Sequence, residues 1–199
     1  MFNFMNDVRF DIAFKKSNQI LEKIDTENNK MIDTQQVIDA VSEVTKTEIY
    51  VLKADFSGIE NAGRYGAMMS VVEREKKRKA TIILNSDENI DDKFRRFSLI
   101  HELGHLITDK ANVQVDVDEK NTKFTLSTHI DYNLSHIDKE KYENPFLLNE
   151  EIANIFALRV LLPLKPLMDE ITKLKDLKKV AAHFGVPEEA VNSRLNLEG

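Results

Sequence analysis

Not one of the 199 residues is a cysteine. Disulfides and thiolate metal sites are therefore excluded, and any metal here must be held by nitrogen and oxygen donors. The absence also fits a reducing, cytoplasmic setting. Positive charge is in short supply: 28 lysines and arginines stand against 34 aspartates and glutamates, a net charge of −6. A general nucleic-acid binder carries the opposite balance, which argues against direct nucleic-acid binding. No apolar run approaches the ~18 residues of a membrane span, so no membrane association is expected. Residues 1–14 interleave Asp7, Arg9 and Asp11 with apolar side chains, unlike the continuous apolar core of a secretory signal. Internal repeats and low-complexity tracts are missing too. What is present is an ordinary globular balance, 42% hydrophobic and 31% charged, enough for one domain with a real core.

One run in this chain carries chemistry: His101-Glu102-Leu103-Gly104-His105. Residues four apart on a helix lie on one face, one turn apart. Two imidazole nitrogens so placed can reach one divalent metal, with Zn²⁺ the usual occupant. Glu102 stands beside that position but off the ligand line, where a carboxylate can take a proton from the attacking water. That is the chemistry of a metal-dependent peptide hydrolase. In a chain with five histidines a chance H-E-x-x-H has odds of about one in a hundred, so the surrounding helix must decide. Asp91 or Asp92 offers an N-cap, and Phe94, Phe97, Leu99, Ile100, Leu103, Leu106 and Ile107 follow. A helix apolar nearly all round from Phe97 onward is a buried one. Its two histidines and glutamate then need partners, because unpaired buried polar groups are costly. Hydrogen bonds within the core would meet that need; a metal meets it and accounts for the spacing as well. Gly104 costs about 1 kcal/mol relative to alanine in a helix interior, so another segment is expected to approach closely there.

Along the rest of the chain, residues 3–26 read as a helix that Asn28, Asn29 and Lys30 break. Asp33 or Thr34 caps a second helix through Val37, Ile38, Val41 and Val44. Glu48 to Ala54 alternates like a strand, and Tyr65 to Val72 and Lys79 to Leu84 read as two strands joined by the charged turn Glu73 to Arg78. Strands, then a buried helix, then closing helices predict an α+β fold, with a small, mostly antiparallel sheet packed on the central H-E-x-x-H helix. Residues 1–165 read as a metallopeptidase domain and 166–199 as a C-terminal, helix-turn-helix-like segment packed on it. The polar stretch from Asp109 to Asn149 is expected to hold a β-hairpin over Val113 to Thr128. A long excursion after an active-site helix often forms a lid or substrate wall.

A hydrolytic zinc site takes three protein ligands and leaves a position for water. The chain does not continue as H-x-x-G-x-x-H, because Thr108 and Ala111 occupy the relevant places. Downstream comes Asn149-Glu150-Glu151-Ile152-Ala153-Asn154-Ile155-Phe156-Ala157, then Leu161-Leu162-Pro163. On a helix Glu150 shares a face with Asn154 and Ala157, whereas Glu151 turns toward Ile155. A carboxylate above a small residue can approach the motif helix closely, and Asn154, one turn on, is placed to orient a ligand imidazole. Glu151 and Asp109 are the rival third ligands; Asp109 lies two turns beyond His101, far along the helix axis for a tetrahedral site.

With these segments in this order, the chain resembles the ImmA/IrrE metallopeptidases of bacteria and their mobile elements. The likeness is carried by Arg95-Arg96-Phe97-Ser98-Leu99-Ile100-His101-Glu102-Leu103-Gly104-His105 and by Glu150-x-x-Ala153-Asn154-x-Phe156-Ala157 with Leu161-Leu162-Pro163. The tail from Val180 to Leu195, with Phe184-Gly185-Val186 and Ala190-Val191, is similar to the closing segment of that family. The resemblance implies a gluzincin-like fold, Zn²⁺ held by His101, His105 and Glu150, and Glu102 as general base. It further implies cleavage of a protein partner, a helix-turn-helix transcriptional repressor of a prophage or mobile element. A non-proteolytic regulator that docks to a transcription factor is the alternative. An intact Glu102 favours the enzyme, and a structural zinc site would more often be closed by four protein ligands.

Weaker features have plainer readings. His129, Tyr132, His136 and Tyr142 in the long stretch, and Tyr65 before it, are candidate oxyanion donors, but surface loop residues account for them as well. Arg74 to Lys79 reads as a solvated basic turn. Leu177 to Leu195 has a helix-turn-helix outline, with Gly185 in the turn and Pro187 opening the second helix. Glu188 and Glu189 at the start of that helix would repel phosphate, which favours a packing or protein-docking role.

Overall fold

The computed structural model describes residues 8–24, 26, 31–58, 66–74, 77–108, 124–125 and 145–197. In chain order these form α1 (Val8–Leu21), α2 (Thr34–Thr45), β1 (Thr47–Ala54), β2 (Ala67–Arg74), β3 (Lys77–Asn85), α3 (Asp92–Thr108), β4 (Phe124–Thr125), α4 (Pro145–Leu161), α5 (Leu164–Leu174), α6 (Leu177–Phe184) and α7 (Glu188–Asn196). The fold is α+β. Asp33 caps α2 by accepting from the Gln35 amide at 2.9 Å, and Lys46 closes it in the left-handed region at φ 53°. Asp91, rather than Asp92, accepts from the first turn of α3, through the Lys93 amide at 2.9 Å. The first helix ends earlier than its pattern suggests, at Leu21, with a turn at residues 22–24; residues 3–7 lie outside the described chain.

The strands lie in the order β1-β3-β2-β4. Two of the three pairings, β2 with β3 and β2 with β4, are antiparallel as expected. The third differs: β1 runs parallel to β3, from Thr47 opposite Arg78 to Ala54 opposite Asn85. The chain leaves β1, passes the central slot to form β2, and returns antiparallel into the middle as β3. Ala80 and Ile82 make β3 suited to that central place, since both are fully buried. The β2–β3 ladder continues to Arg74 opposite Lys77, two residues beyond the end expected for β2. Of the hairpin expected over Val113 to Thr128, only Phe124–Thr125 is described. These residues pair with Ser70 and Met69 of β2.

One face of the sheet, through Ala67, Met69, Ala80 and Ile82, is buried in the common core; Tyr50 and Leu52 on the other face are exposed. Every residue of α3 from Phe97 to Ile107 is buried, because α2, β2, β3, α4 and α1 all pack around it. Two arginines hold its first turn. Arg95 donates to the Asn85 and Asp87 carbonyls at the end of β3. Arg96 donates to the carbonyls of Ile32, Phe184 and Gly185 at 2.6, 2.7 and 3.1 Å. Burial pushes the Arg96 guanidinium down to about 10 despite nearby Asp33, which leaves it charged at neutral pH. Gly185 ends α6 with a positive φ of 62°, and Val186 N–H reaches back to the Ala181 carbonyl at 3.0 Å. That left-handed turn directs α7 onto the core, where Val180, Phe184 and Val191 join the same apolar cluster as α3.

Candidate metal centre

The site is built where α3 and α4 touch. A Cβ at Gly104 would lie 3.0 Å from both Cα and O of Ala153 and 3.1 Å from Phe156 Cδ1. Glycine lets the two backbones come this close without either having to give way, which accounts for a glycine inside a buried helix. Glu150 precedes Ala153 by just under one turn of α4. The contact therefore brings its carboxylate over the face of α3 that carries both histidines.

Three side chains converge there. Glu150 Oε2 lies 3.2 Å from His101 Nε2, and Oε1 lies 3.3 Å from His105 Nε2. The two Nε2 atoms are 3.0 Å apart, with the rings edge to face. All three residues are buried, and one ligand atom from each falls within 4.8 Å of the others. His101 is oriented from behind by Asn154, whose Oδ1 is 2.8 Å from His101 Nδ1. Burial would raise the Glu150 carboxyl, but hydrogen bonds and charge from His101 and His105 outweigh it and hold the group down at about 2. At neutral pH Glu150 is thus a carboxylate facing two imidazoles. Two nitrogens and a carboxylate oxygen, buried and turned on one another, suit a divalent cation with borderline or hard preferences. Among the described residues this is the one such group.

Glu102 is fully buried on α3 beside the first histidine and is not one of the converging three. Glu151 is buried as well, yet its carboxylate is not in the group either. Asp109, Tyr65, His129, Tyr132, His136 and Tyr142 fall outside the described residues. The fifth histidine, His183, packs edge to face on Phe184 and is not one of the converging three. Arg96 was visible in the sequence only as part of a motif; its three carbonyl partners lie 64 to 89 residues away, and nothing local signals them.

Residues 45–196 match the model of the peptidase M78 family, described as the IrrE N-terminal-like domain. The chain belongs to this family. Membership makes it a peptidase, a hydrolase, and the buried His-His-Glu cluster is where a metal ion would sit in such an enzyme. The match spans the whole sheet, α3 and every helix that follows, so the M78 region contains all three converging residues. No curated protein shows significant similarity to the chain. No helix among the described residues is long and apolar enough to cross a membrane.

Proposed function

We propose that this M78 protein is a gluzincin-like, zinc-dependent endopeptidase of the cytoplasm. Its substrate in this reading is a protein partner, a helix-turn-helix repressor of a prophage or mobile element. The observation that carries the proposal is the convergence of His101, His105 and Glu150 with Glu102 next in the chain to the first of them. His101, His105 and Glu150 would hold Zn²⁺. When bound, the cation supplies Lewis-acid polarisation of the scissile carbonyl and acidifies water. Glu102 takes the proton of the attacking water and returns it to the leaving amine, a transfer its carboxylate can make without acting as a ligand. Glu150 and two neutral imidazoles contribute one negative charge in total, so a divalent cation held by them would keep net positive charge available to a developing oxyanion. The burial of all four side chains keeps bulk water from competing for these interactions.

The test is to incubate the zinc-loaded protein with the repressor encoded beside its gene and to map products by mass spectrometry. One or a few defined cuts are expected, lost on chelation and regained on adding zinc. An intact repressor, bound but uncut, would instead support docking without proteolysis.

A further inference from the structure

We infer that the free edge of β1 is a self-association surface, where a second copy of this chain adds its own β1 antiparallel across a twofold axis at Val51. The inference involves no residue of the metal centre. β1 closes one end of the sheet and pairs on one side only, with β3. At its two ends, Ser42 Oγ donates to the Thr47 carbonyl and Ser86 N–H to the Ala54 carbonyl. Between them, among the described residues, no hydrogen bond from outside the β1–β3 ladder reaches the backbone of Glu48 to Lys53. Natural sheets protect such an edge with proline, a bulge, a short strand or several charges. Here eight residues pair in unbroken register, no proline interrupts them, and Glu48 and Lys53 are the only charged residues. On the outer face Tyr50 and Leu52 are 42% and 54% exposed. The edge is open, straight and apolar at its centre.

What fits this edge is the strand itself. Residues directly opposite in an antiparallel pair share a face of the sheet. With Val51 on the axis, Tyr50 faces the partner's Leu52 and Leu52 faces the partner's Tyr50, two identical aromatic–aliphatic pairs. On the inner face Ile49 meets the methylene stem of the partner's Lys53, whose ammonium can reach past it to water. Glu48 falls opposite the partner's Ala54. Charge excludes the neighbouring registers. An axis at Tyr50 would set Glu48 against the partner's Leu52, and an axis at Leu52 would set Ile49 against the partner's Asp55. Tyr50 is also ordered in advance: its hydroxyl donates to Glu48, and Lys79 Nζ lies 3.0 Å from Glu48 Oε2 and 5.6 Å from the Tyr50 ring centre. Less side-chain freedom is then lost on pairing. One strand pair is a small contact, below the ~1,200 Å² of stable complexes, so association is reversible and depends on concentration. A twofold axis normal to the sheet would join two four-stranded sheets into one and keep both α3 helices on the same side.

Sedimentation equilibrium of the full chain, from micromolar to near-millimolar concentration, should show a monomer–dimer equilibrium. Leu52→Glu sets a carboxylate against the partner's Tyr50 twice over and should weaken the dimer roughly 10-fold or more, with unchanged far-UV circular dichroism. Met168→Glu, on the exposed side of α5 (46% exposed), should leave the equilibrium as it is. Register is read by cross-linking, since the chain has no cysteine of its own. With oxidised glutathione as oxidant, Val51→Cys should form a disulfide with its own copy, because opposite Cβ atoms lie close to disulfide distance. Tyr50→Cys and Leu52→Cys should cross-link faster when mixed than either does alone. A wild type that stays monomeric throughout overturns the inference and leaves the edge to a strand of another protein. A dimer that survives Leu52→Glu but is lost in Met168→Glu overturns it too, moving the contact to α5. Faster cross-linking of Tyr50→Cys alone than of Val51→Cys would overturn the self-complementary register.

Discussion

Glu150 and Glu151 are neighbours in the chain and both are buried, yet only Glu150 has its carboxylate against the two imidazoles. Consecutive residues on a helix point about 100° apart, so one of the pair faces α3 and the other does not. Glu150→Ala should therefore weaken metal binding by more than the roughly 10–100-fold typical of a lost supporting contact, whereas Glu151→Ala should change it much less. Chelator competition on both variants decides this, and equal losses would show that the α4 phase is not what selects the ligand. Glu102 is tested differently, because its proposed task is proton transfer. Glu102→Gln keeps shape but cannot accept a proton. It should lower cleavage about 10²–10⁴-fold while metal content, measured by elemental analysis, stays at the wild-type level. Full activity in that variant would remove Glu102 from the mechanism.

At the scale of elements, the contact between α3 and α4 determines whether the site exists. Gly104 is the closest point of that contact, and what its Cβ would meet is Ala153 backbone, not the end of a flexible side chain. Gly104→Ala gains about 1 kcal/mol of intrinsic helix preference but forces two packed helices apart, an overpacking cost of about 1–3 kcal/mol. The expected sum is a loss of about 1 kcal/mol in denaturant unfolding, accompanied by weaker metal binding as Glu150 withdraws from the imidazoles. A stabilised variant with wild-type affinity would show that α4 can shift without moving the carboxylate. The α6–α7 pair shows how an element can have the outline of one function and the surface of another. Ala190, Val191, Ser193 and Arg194 of α7 are all buried, and Arg194 Nε donates to the Leu162 carbonyl at 3.0 Å. Arg194 is the single cation of α7, so the outward positions Glu189, Asn192 and Asn196 offer no positive charge to phosphate.

For the whole molecule, the consequence is that α6 and α7 are part of the common core. Val180, Phe184 and Val191 are fully buried, and at about 2 kcal/mol each their removal costs ~6 kcal/mol. A typical domain has about 5–15 kcal/mol of net stability. The same deletion strips Arg96 of two of its three carbonyl acceptors. A chain ending at residue 176 should accordingly fail to fold cooperatively, as judged by circular dichroism and thermal unfolding. The intact protein should show no tight, salt-sensitive duplex binding when titrated from low to physiological ionic strength. Nanomolar sequence-specific binding would reverse the docking interpretation of this segment, since neutralised phosphates give affinity that falls steeply with salt.

Much of this was written in local periodicity. The spacing of His101, Glu102 and His105, the apolar surround of α3, the glycine demanding a close approach, and the Gly185–Pro187 turn each depend on a few adjacent residues, so the sequence by itself determined them. The face shared by Glu150, Asn154 and Ala157 was legible for the same reason. What periodicity does not encode is which faces meet. The tertiary structure alone decided that Glu150 and not Glu151 closes on the histidines, because this follows from Gly104 meeting Ala153, residues 49 positions apart. It also decided that β1 lies parallel to β3, since strand order depends on where the returning chain can bury Ala80 and Ile82. The anchors of Arg96 are of the same kind. They are backbone carbonyls from distant segments, and a carbonyl is identical in every residue until folding leaves it in need of a donor.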